Sequence, residues 1–459
     1  MSDGYDLLVL GGGTGGYSAA LRAAALGMKV ALVERDKVGG TCLHRGCIPT
    51  KALLHSAEVH DTARDAERFG IKVGDVSVDW GAVQTYKQGV VDRMFKGLEG
   101  LLKHRKVDVI AGKGSLRSPT TVAVEGAGEI QARKVVVATG SAPKMIPGLE
   151  AGERVITSDE ALPLDRIPAS AIVLGAGSVG VEFASVWRSF GAEVTVVEML
   201  PSLVPLEDAD LGKELERAFK KRGIRSMTGA KLEEATPGEK SVTAKVTTNG
   251  KTETLEAELL LVAVGRGAVT EGAGLDAAGI KIERGFVTVQ DSCQTNVPGV
   301  YAVGDVIPTP QLAHVSFAEG IAAAEHAAGN TPPPIDYDAI PRCTYCGPEV
   351  AAVGLTEAQA KERGHDVVTA KVALGAIGKA VILGETSGFC KIVAAKDGVI
   401  LGVHFIGPRV TELVAEAMLA VGWEAMPEEV AALIHPHPTL TESFGEAALT
   451  LAGRALHTA

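Results

Sequence analysis

Two segments of this chain share one pattern: a short apolar run, a glycine-rich turn, a helical stretch and a second apolar run that ends in glutamate. The first spans residues 5–34 and turns at GGGTGG, and the second spans residues 171–198 and turns at GAGSVG. The first motif glycine and the glutamate are 23 residues apart in both copies. One G-x-G-x-x-G is a weak signal in a chain with 55 glycines. Two copies in the same strand–helix–strand context predict two Rossmann-like dinucleotide-binding units and an α/β fold.

The three glycines of each motif have different tasks. The first permits a tight turn, the second lets the backbone approach a pyrophosphate, and the third allows the helix to pack closely on the strand. They are Gly11, Gly13 and Gly16 in the first copy and Gly175, Gly177 and Gly180 in the second. The helix N-terminus would offer N–H groups to the phosphates, and Glu34 and Glu198 would accept hydrogen bonds from ribose hydroxyls. The alternative is a pair of glycine turns that bind nothing.

Composition restricts the class of protein. The chain has 459 residues, 46% of them hydrophobic, which suits roughly three globular domains. A formal net charge of -11 without a Lys/Arg-rich run argues against nucleic acid or an anionic membrane as the partner. No apolar run approaches the ~20 residues of a membrane span, and no leader pattern opens the sequence. Six cysteines are too few for the disulfide framework of a secreted domain, so we expect a cytoplasmic protein.

The segment GGTCLHRGCIPTK, residues 39–51, places Cys42 and Cys47 five positions apart. On a regular helix such positions are separated by about 7.5 Å of rise and point roughly 140° apart, whereas a disulfide needs Cα atoms within about 7 Å. Three glycines and Pro49 favour an interrupted backbone, with a helix beginning at or just after the pair. Such a position favours redox exchange. A structural disulfide or half of a zinc site is the alternative, although no second Cys/His pair lies nearby at zinc-ligand spacing, and we predict no metal.

With GGGTGG upstream of it, this segment resembles the active-site segment of the pyridine nucleotide–disulfide oxidoreductases. The resemblance extends over the whole chain through the second glycine motif, VATGS (137–141), AVGD (302–305) and HPHPTLTE (435–442). It is strongest to the branch that oxidises dihydrolipoyl groups and reduces NAD in 2-oxo acid dehydrogenase complexes. It implies FAD in the first nucleotide unit and NAD in the second. Cys42 would exchange with the substrate, and Cys47 would face the flavin.

The resemblance implies a domain order. An FAD-binding domain would occupy residues 1–147, an NAD-binding domain 148–273, and a second FAD-binding or central part 274–335. An α+β dimerisation domain would follow at 336–459. The proline-rich stretch 329–341 supports this last boundary.

Positions near the cysteines carry further implied roles. Lys51, one helical turn after Cys47, resembles the lysine beside the reactive edge of the flavin, and Glu182 resembles its partner. A solvated helix lysine and a surface glutamate are the alternatives. His44 and Arg45 replace the more common Asn-Val between the cysteines, and their effect stays open.

Other segments would also contact the cofactors. Asp305 resembles the residue that meets the ribityl and phosphate portion of the flavin, and Ala313 would lie near the isoalloxazine. The remaining implied nucleotide contacts are Gly114, Thr139, Gly140, Ser141 and Gly265.

The element HPHPTLTE implies an acid/base group. Oxidising a dithiol requires removal of a proton from sulfur, and imidazole groups titrate near pH ~6.5. The resemblance makes His437 that base, Glu442 the residue that orients its ring, and His435 a structural residue, with a cis bond before Pro438. A metal-binding H-x-H or two ordinary loop histidines are the alternatives. In the family this element completes the active site of the other subunit, which implies a homodimer with shared sites.

Cofactor choice and rival functions follow from smaller features. Glu198 and the lack of arginine in the following MLPSLVP favour NAD over NADP. A glutathione reductase would want arginines there, and a mercuric or large thioredoxin reductase would carry a C-terminal redox pair, whereas this sequence ends GRALHTA. A nucleotide-binding scaffold without turnover would lack Cys42, Cys47 or His437.

Two features concern partners and the other thiols. The implied partner is the lipoyl-bearing acyltransferase core of a 2-oxo acid dehydrogenase complex, or the carrier protein of glycine cleavage. Cys343 and Cys346 form a C-x-x-C that precedes a strand pattern instead of a helix. We expect alternation to put them on opposite faces, as core or interface thiols.

Overall fold

The computed structural model describes residues 4–457. The chain divides into two compact units, and each is assembled from segments that are distant in sequence. The first unit contains the residues up to Ala52, Gly81–Lys144 and Gly265–Tyr337. The second contains Leu53–Trp80, Met145–Val264 and the residues from Asp338 onwards.

A seven-stranded sheet forms the centre of the first unit. Tyr5–Leu10 lies between Val30–Glu34 and Gly128–Val137, and all three run parallel. Asp108–Ala111 extends the sheet on one side, and Val300–Ala302 pairs in parallel with Gly128–Val137. The antiparallel strands Gly114–Ser118 and Thr121–Val124 complete it.

Both faces of this sheet are covered because its strands alternate two sets of apolar residues. Leu7 and Val9 pack in one buried cluster, and Leu8 and Leu10 pack in another. A strand that is apolar throughout is typical of a parallel sheet buried on both faces. The principal helices of this unit are Thr14–Ala25, Gly40–Arg45, the first turn of Cys47–Arg64, most of Trp80–His104, and Ala313–Ala327.

A five-stranded parallel sheet forms the Rossmann-like part of the second unit. Its order is Arg225–Met227, Glu193–Val197, Ser170–Leu174, Leu259–Val262, Val155–Ile156. A three-stranded antiparallel sheet accompanies it, made of Ala230–Pro237, Val242–Thr248 and Lys251–Ala257. The helices here are Ser158–Ala161, Ser178–Ser189 and Ala209–Arg222.

The C-terminal part of the second unit is an antiparallel sheet covered by helices. The sheet order is Arg342–Thr344, Glu349–Gly354, Ile400–Gly407, Phe389–Ala395, Val367–Ala373. The larger helices are Val410–Gly422 and Glu442–Leu451. The prediction of an α/β chain with two Rossmann-like sheets and an α+β C-terminal part is confirmed.

The remaining elements are short. The strands are Ser141–Pro143 paired with Arg266–Ala268, and Ile282–Glu283 paired with Phe286–Val287. The helical segments are Ala66–Phe69, Asp276–Ala278, Gly304–Val306, Glu357–Glu362, Leu374–Ala376, Gly378–Leu383 and Pro427–Ala431. Within residues 4–457, no helix has the length and apolar character needed to cross a membrane.

Candidate active site

The first glycine turn is tightly constrained at two positions and open at a third. Gly11 has φ +105°, and a Cβ on it would lie 2.2 Å from the carbonyl oxygen of Ala138. A Cβ on Gly16 would lie 1.8 Å from the carbonyl oxygen of Gly11. A Cβ on Gly13 would meet nothing within 4 Å, and the helix Thr14–Ala25 begins directly after it. The open glycine and the helix N-terminus together fit the pyrophosphate of a dinucleotide.

The second glycine turn repeats this geometry. Gly175 has φ +101° and lies against the carbonyl oxygen of Ala263, 2.4 Å from its ideal Cβ. The ideal Cβ of Gly180 lies 1.9 Å from the carbonyl oxygen of Gly175, and that of Gly177 again meets nothing within 4 Å. The helix Ser178–Ser189 starts at this point, so the second turn fits a dinucleotide in the same way.

The two motif glutamates brace their own turns. Glu34 accepts hydrogen bonds from the backbone N–H of Gly12 at 2.6 Å and of Asp36 at 2.9 Å. Glu198 accepts them from Ala176 at 2.6 Å and Leu200 at 2.8 Å. This task was not predicted from the sequence, and it uses both oxygens of each carboxylate. Because each carboxylate oxygen has a second lone pair, the predicted ribose contact stays compatible with it.

Cys42 and Cys47 lie on two consecutive helices. Cys42 belongs to Gly40–Arg45, the helix is interrupted at Gly46 with φ −149° and ψ −111°, and Cys47 begins the next helix. The interruption agrees with the prediction, whereas the separate short helix around Cys42 was not foreseen. Both residues are thiols in the structure, and Cys42 hydrogen-bonds to Cys47.

Neighbouring groups perturb the ionisation of Cys42. The hydrogen bond to Cys47, together with burial, raises the pKa of Cys42 above its ordinary value, and the charge of Lys51 opposes this rise. Tyr17 lies close enough that both thiols contribute to its raised pKa of about 12, for which burial is the largest cause. Sequence reasoning missed Tyr17, which sits in the glycine-motif helix with no signal of its own.

The cysteine segment is docked on the first glycine turn. The N–H of Gly39 donates to the carbonyl oxygen of Gly12 at 2.7 Å. Gly40 has φ +57°, and its ideal Cβ would lie 2.6 Å from the Cα of Gly13. A side chain at Gly40 would therefore separate the thiol pair from the turn, so the glycines set the distance between the two.

His44 and Arg45 have partners away from the sulfurs. The His44 ring donates from Nε2 to the carbonyl oxygen of Val38 at 2.9 Å and packs edge-on against Phe95. Arg45 pairs with Asp36 at 2.8 Å on the surface. Both side chains thus anchor the segment to its surroundings.

Several predicted flavin contacts meet around one short ladder in the first unit. Ser141 donates from Oγ to Asp305 Oδ2 at 2.5 Å, and Thr139 donates to the carbonyl oxygen of Val269 at 2.6 Å. Gly140, with φ +71°, lies between them, and Gly265 has φ +110° at the start of the opposite strand.

The turn that carries Asp305 is held by a buried glutamate. Glu319 is fully buried and accepts hydrogen bonds from the N–H of Gly304 at 2.6 Å and the hydroxyl of Thr309 at 2.7 Å. Burial raises its pKa. Glu319 lies on the helix that Ala313 begins, and sequence reasoning missed it because its partners are distant turns.

Two other predicted contacts are placed by packing. Gly114 opens the strand Gly114–Ser118, where its ideal Cβ would lie 2.5 Å from Leu10. Glu182 lies in the second unit, on the helix Ser178–Ser189; it is 3% exposed and accepts from the N–H of Tyr345 at 3.0 Å. The surface alternative for Glu182 is therefore wrong.

The C-terminal histidine element forms a compact loop. His437 Nδ1 donates to Glu442 Oε1 at 2.9 Å, and Glu442 Oε2 accepts from the N–H of Thr439 at 2.8 Å. Burial favours the neutral form of Glu442, but these hydrogen bonds outweigh it and lower its pKa. The bond between His437 and Pro438 is cis, as predicted. The His437 side chain is 75% exposed on the single chain.

His435 is held by a residue that sequence reasoning missed. Its Nε2 hydrogen-bonds to Glu416 Oε1 at 2.8 Å, and this bond raises the pKa of His435. Glu416 also accepts from the Thr441 hydroxyl, so it links both ends of the loop to the helix Val410–Gly422. The ideal Cβ of Gly445 would lie 2.6 Å from the His435 ring, which explains the glycine there.

Cys343 and Cys346 have separate partners. Cys343 lies in Arg342–Thr344, but Cys346 lies beyond the end of that strand, so strand alternation does not relate them as the sequence suggested. The Cys346 thiol is buried and donates to the carbonyl oxygen of Pro348 at 3.1 Å, and burial raises its pKa.

Comparisons with known proteins agree with this geometry. The sequence model of the pyridine nucleotide-disulphide oxidoreductases matches residues 5–320, and that of their dimerisation domain matches residues 340–448. The dihydrolipoyl dehydrogenases of Bacillus subtilis and Rhizobium etli are 48% and 41% identical to this chain, and each alignment covers 100% of both proteins. LpdA from Mycobacterium tuberculosis has a TM-score of 0.89 at 29% identity, covering 97% of this chain and 99% of that one. The flavoprotein disulfide reductase RclA from Escherichia coli has a TM-score of 0.87 at 26% identity, covering 98% and 99%. The chain therefore belongs to the pyridine nucleotide-disulphide oxidoreductase family.

Proposed function

We propose that this protein oxidises protein-bound dihydrolipoyl groups to lipoyl disulfides and reduces NAD+ to NADH, with FAD as its resident cofactor. The observation that carries this is the thiol pair docked on the first glycine turn, with the Gly39 N–H 2.7 Å from the Gly12 carbonyl oxygen. Full-length relatives named dihydrolipoyl dehydrogenase support the choice of substrate. Overall, one dithiol and one NAD+ give one disulfide, one NADH and one proton.

The cysteines would work as an exchange pair. With Cys42 and Cys47 joined as a disulfide, a substrate thiolate attacks the sulfur of Cys42, and the electron pair of the broken bond leaves on Cys47. The second substrate thiolate then displaces Cys42, which closes the substrate disulfide and leaves the enzyme dithiol. Bound FAD supplies the two-electron acceptor between this dithiol and NAD.

His437 would take the proton from the substrate thiols. Its Nδ1 is held by Glu442 at 2.9 Å, which fixes the ring and leaves Nε2 as the atom that receives a proton. Glu442 then stabilises the imidazolium that forms. His435, Glu416 and Thr441 hold the loop that presents this ring.

Each glycine turn would hold one cofactor. FAD would occupy the turn of Gly11, Gly13 and Gly16, with Glu34 at its ribose, and NAD would occupy the turn that ends at Glu198. The segment MLPSLVP, which directly follows Glu198, includes no arginine for a 2′-phosphate, and this favours NAD over NADP. This assignment corresponds to the four-part domain order proposed from the sequence.

The family's dimerisation domain supports a homodimer. We further propose that His437 and Glu442 of one copy act on the cysteine pair of the other, and that a cytoplasmic lipoyl-bearing carrier, either an acyltransferase core or a glycine-cleavage protein, delivers the substrate. The 75% exposure of His437 on the single chain is in keeping with a ring that completes a second copy's site.

Hybrid dimers test the shared site. Cys47→Ser and His437→Gln chains, each inactive alone, are unfolded, mixed and refolded together with FAD. Random pairing should restore about a quarter of the wild-type activity, because half of the dimers then hold one intact site. Activity no higher than in the separate variants would exclude sharing between copies.

A substrate comparison tests the reaction itself. Initial rates are measured with dihydrolipoamide and NAD+, dihydrolipoamide and NADP+, and glutathione disulfide with each reduced nicotinamide. Dihydrolipoamide with NAD+ should exceed every other combination by at least roughly 100-fold. Faster turnover of glutathione disulfide with NADPH would replace the proposal by a reductase function.

A further inference from the structure

A partly buried arginine in the first unit organises the residues predicted to meet the flavin. Arg266 Nε donates to the hydroxyl oxygen of Ser141 at 2.7 Å, and its NH2 group donates to the Ser141 carbonyl oxygen at 2.8 Å. The Ser141 hydroxyl in turn donates to Asp305 Oδ2 at 2.5 Å. Arg266 therefore holds Ser141 at two points, and Ser141 passes that constraint to the carboxylate of Asp305.

The three residues come from different parts of the chain. Arg266–Ala268 pairs antiparallel with Ser141–Pro143, which brings the arginine beside the serine. Asp305 lies on a separate turn, fixed through the bond from the Gly304 N–H to Glu319 at 2.6 Å. The side chain and the backbone of Asp305 are thus oriented by independent contacts.

Charge gives the arginine a second role. Its Nε lies 3.9 Å from Asp305 Oδ2, and the side chains of Arg266 and Asp305 are only 19% and 23% exposed. A carboxylate near a diphosphate is electrostatically unfavourable at this degree of burial unless a cation offsets it. The planar guanidinium bonds the serine and neutralises the aspartate simultaneously, a geometry that lysine does not reproduce.

We propose that Arg266 is a positioning residue for the flavin, acting through Ser141 and Asp305 to fix and neutralise the carboxylate that meets the ribityl and phosphate portion. This inference rests on the proposed function, since it assigns the cofactor of the first glycine turn to FAD.

Reconstitution of the flavoprotein tests the inference. FAD is removed from wild type, Arg266→Met, Arg266→Lys, Asp305→Asn and the Arg266→Met/Asp305→Asn double variant, and the dissociation constant for added FAD is measured by flavin fluorescence. We expect Arg266→Met to raise it at least tenfold and Arg266→Lys to raise it less. The loss of FAD-binding free energy in the double variant should be smaller than the two single losses added together, because Asp305→Asn removes the charge that Arg266 offsets.

Controls separate positioning from folding and from the proposed function. Arg133→Met removes an exposed arginine of the same unit that pairs with Asp6, and it should leave FAD binding unchanged. Far-UV circular dichroism of the FAD-free proteins reports folding; if Arg266→Met fails to fold, Arg266→Lys and the double variant decide. Additive effects, or a folded Arg266→Met protein that binds FAD within twofold of wild type, would overturn the inference alone. A wild-type protein that binds no FAD would overturn both the inference and the proposed function.

Discussion

Adding one methyl group should have different effects on stability at two glycines of the first glycine turn. The ideal Cβ of Gly16 lies 1.8 Å from a backbone oxygen that cannot move away without opening the turn, whereas that of Gly13 meets nothing within 4 Å. Gly13 has φ −68° and ψ −173°, which alanine adopts freely.

We therefore expect Gly16→Ala to lower the free energy of unfolding by about 3 kcal/mol. Gly13→Ala should leave the melting temperature of the FAD-free protein unchanged and weaken FAD binding by at least roughly tenfold, since the methyl group would occupy the space of a pyrophosphate. Thermal unfolding and flavin titration measure the two effects. Gly177→Ala is the matched control, because it should weaken NAD binding and leave FAD binding intact. Tight FAD binding by Gly13→Ala would show that the open space is not the pyrophosphate site.

Between elements, a buried lysine joins a helix start to a sheet in the second unit. Lys391, 4% exposed on strand Phe389–Ala395, lies 2.9 Å from Asp208 and 2.8 Å from Glu357. Asp208 caps the helix Ala209–Arg222 by accepting from the N–H of Asp210 at 3.1 Å. Removing the cation would leave the buried carboxylate of Asp208 without its charged partner at the point where the two elements meet.

Lys391→Met should lower the free energy of unfolding by about 3–5 kcal/mol, the usual effect of breaking a buried pair. The control is Lys371→Met, on the neighbouring strand, where the lysine is 52% exposed and 3.4 Å from Asp210; its effect should stay below about 1 kcal/mol. Denaturant unfolding measures both. Equal effects of the two substitutions would mean that burial does not govern this network.

For the molecule as a whole, a buried histidine makes stability depend on pH. His404 is fully buried, its Nε2 donates to the Leu355 carbonyl oxygen at 3.0 Å, and burial lowers its pKa to about 4. The unfolded chain, with an ordinary histidine, takes up a proton at higher pH than the folded chain does. The stabilisation is therefore complete above pH ~6.5 and is lost as the pH falls toward 4.

Between pH 7.5 and pH 5 this histidine should account for a loss of about 2 kcal/mol in the free energy of unfolding. His404→Gln keeps a donor for Leu355 and removes the titration, so it should reduce that loss. Denaturant unfolding of both proteins at the two pH values gives the comparison. The same pH dependence in both would assign the acid sensitivity to other groups.

Features with a local physical cause were predictable from the residues alone. The pairing of His437 with Glu442, which lie five positions apart, was implied by the family resemblance. The glycine turns and the helix interruption between Cys42 and Cys47 depend on backbone conformation, so the residues of each segment predict them. The two Rossmann-like sheets followed for the same reason, since each unit repeats a contiguous strand–turn–helix pattern.

Contacts between distant segments depend on the tertiary structure. Arg266 meets Ser141 because two short strands pair, Tyr17 lies by the thiols because Gly39 and Gly40 dock on the glycine turn, and Glu416 reaches His435 from another helix. Neither spacing nor residue type marks such partners, because the order of strands and the packing of helices choose them. The local sequence therefore predicts the glycine turns, whereas the packing of the fold places the side chains that hold those turns.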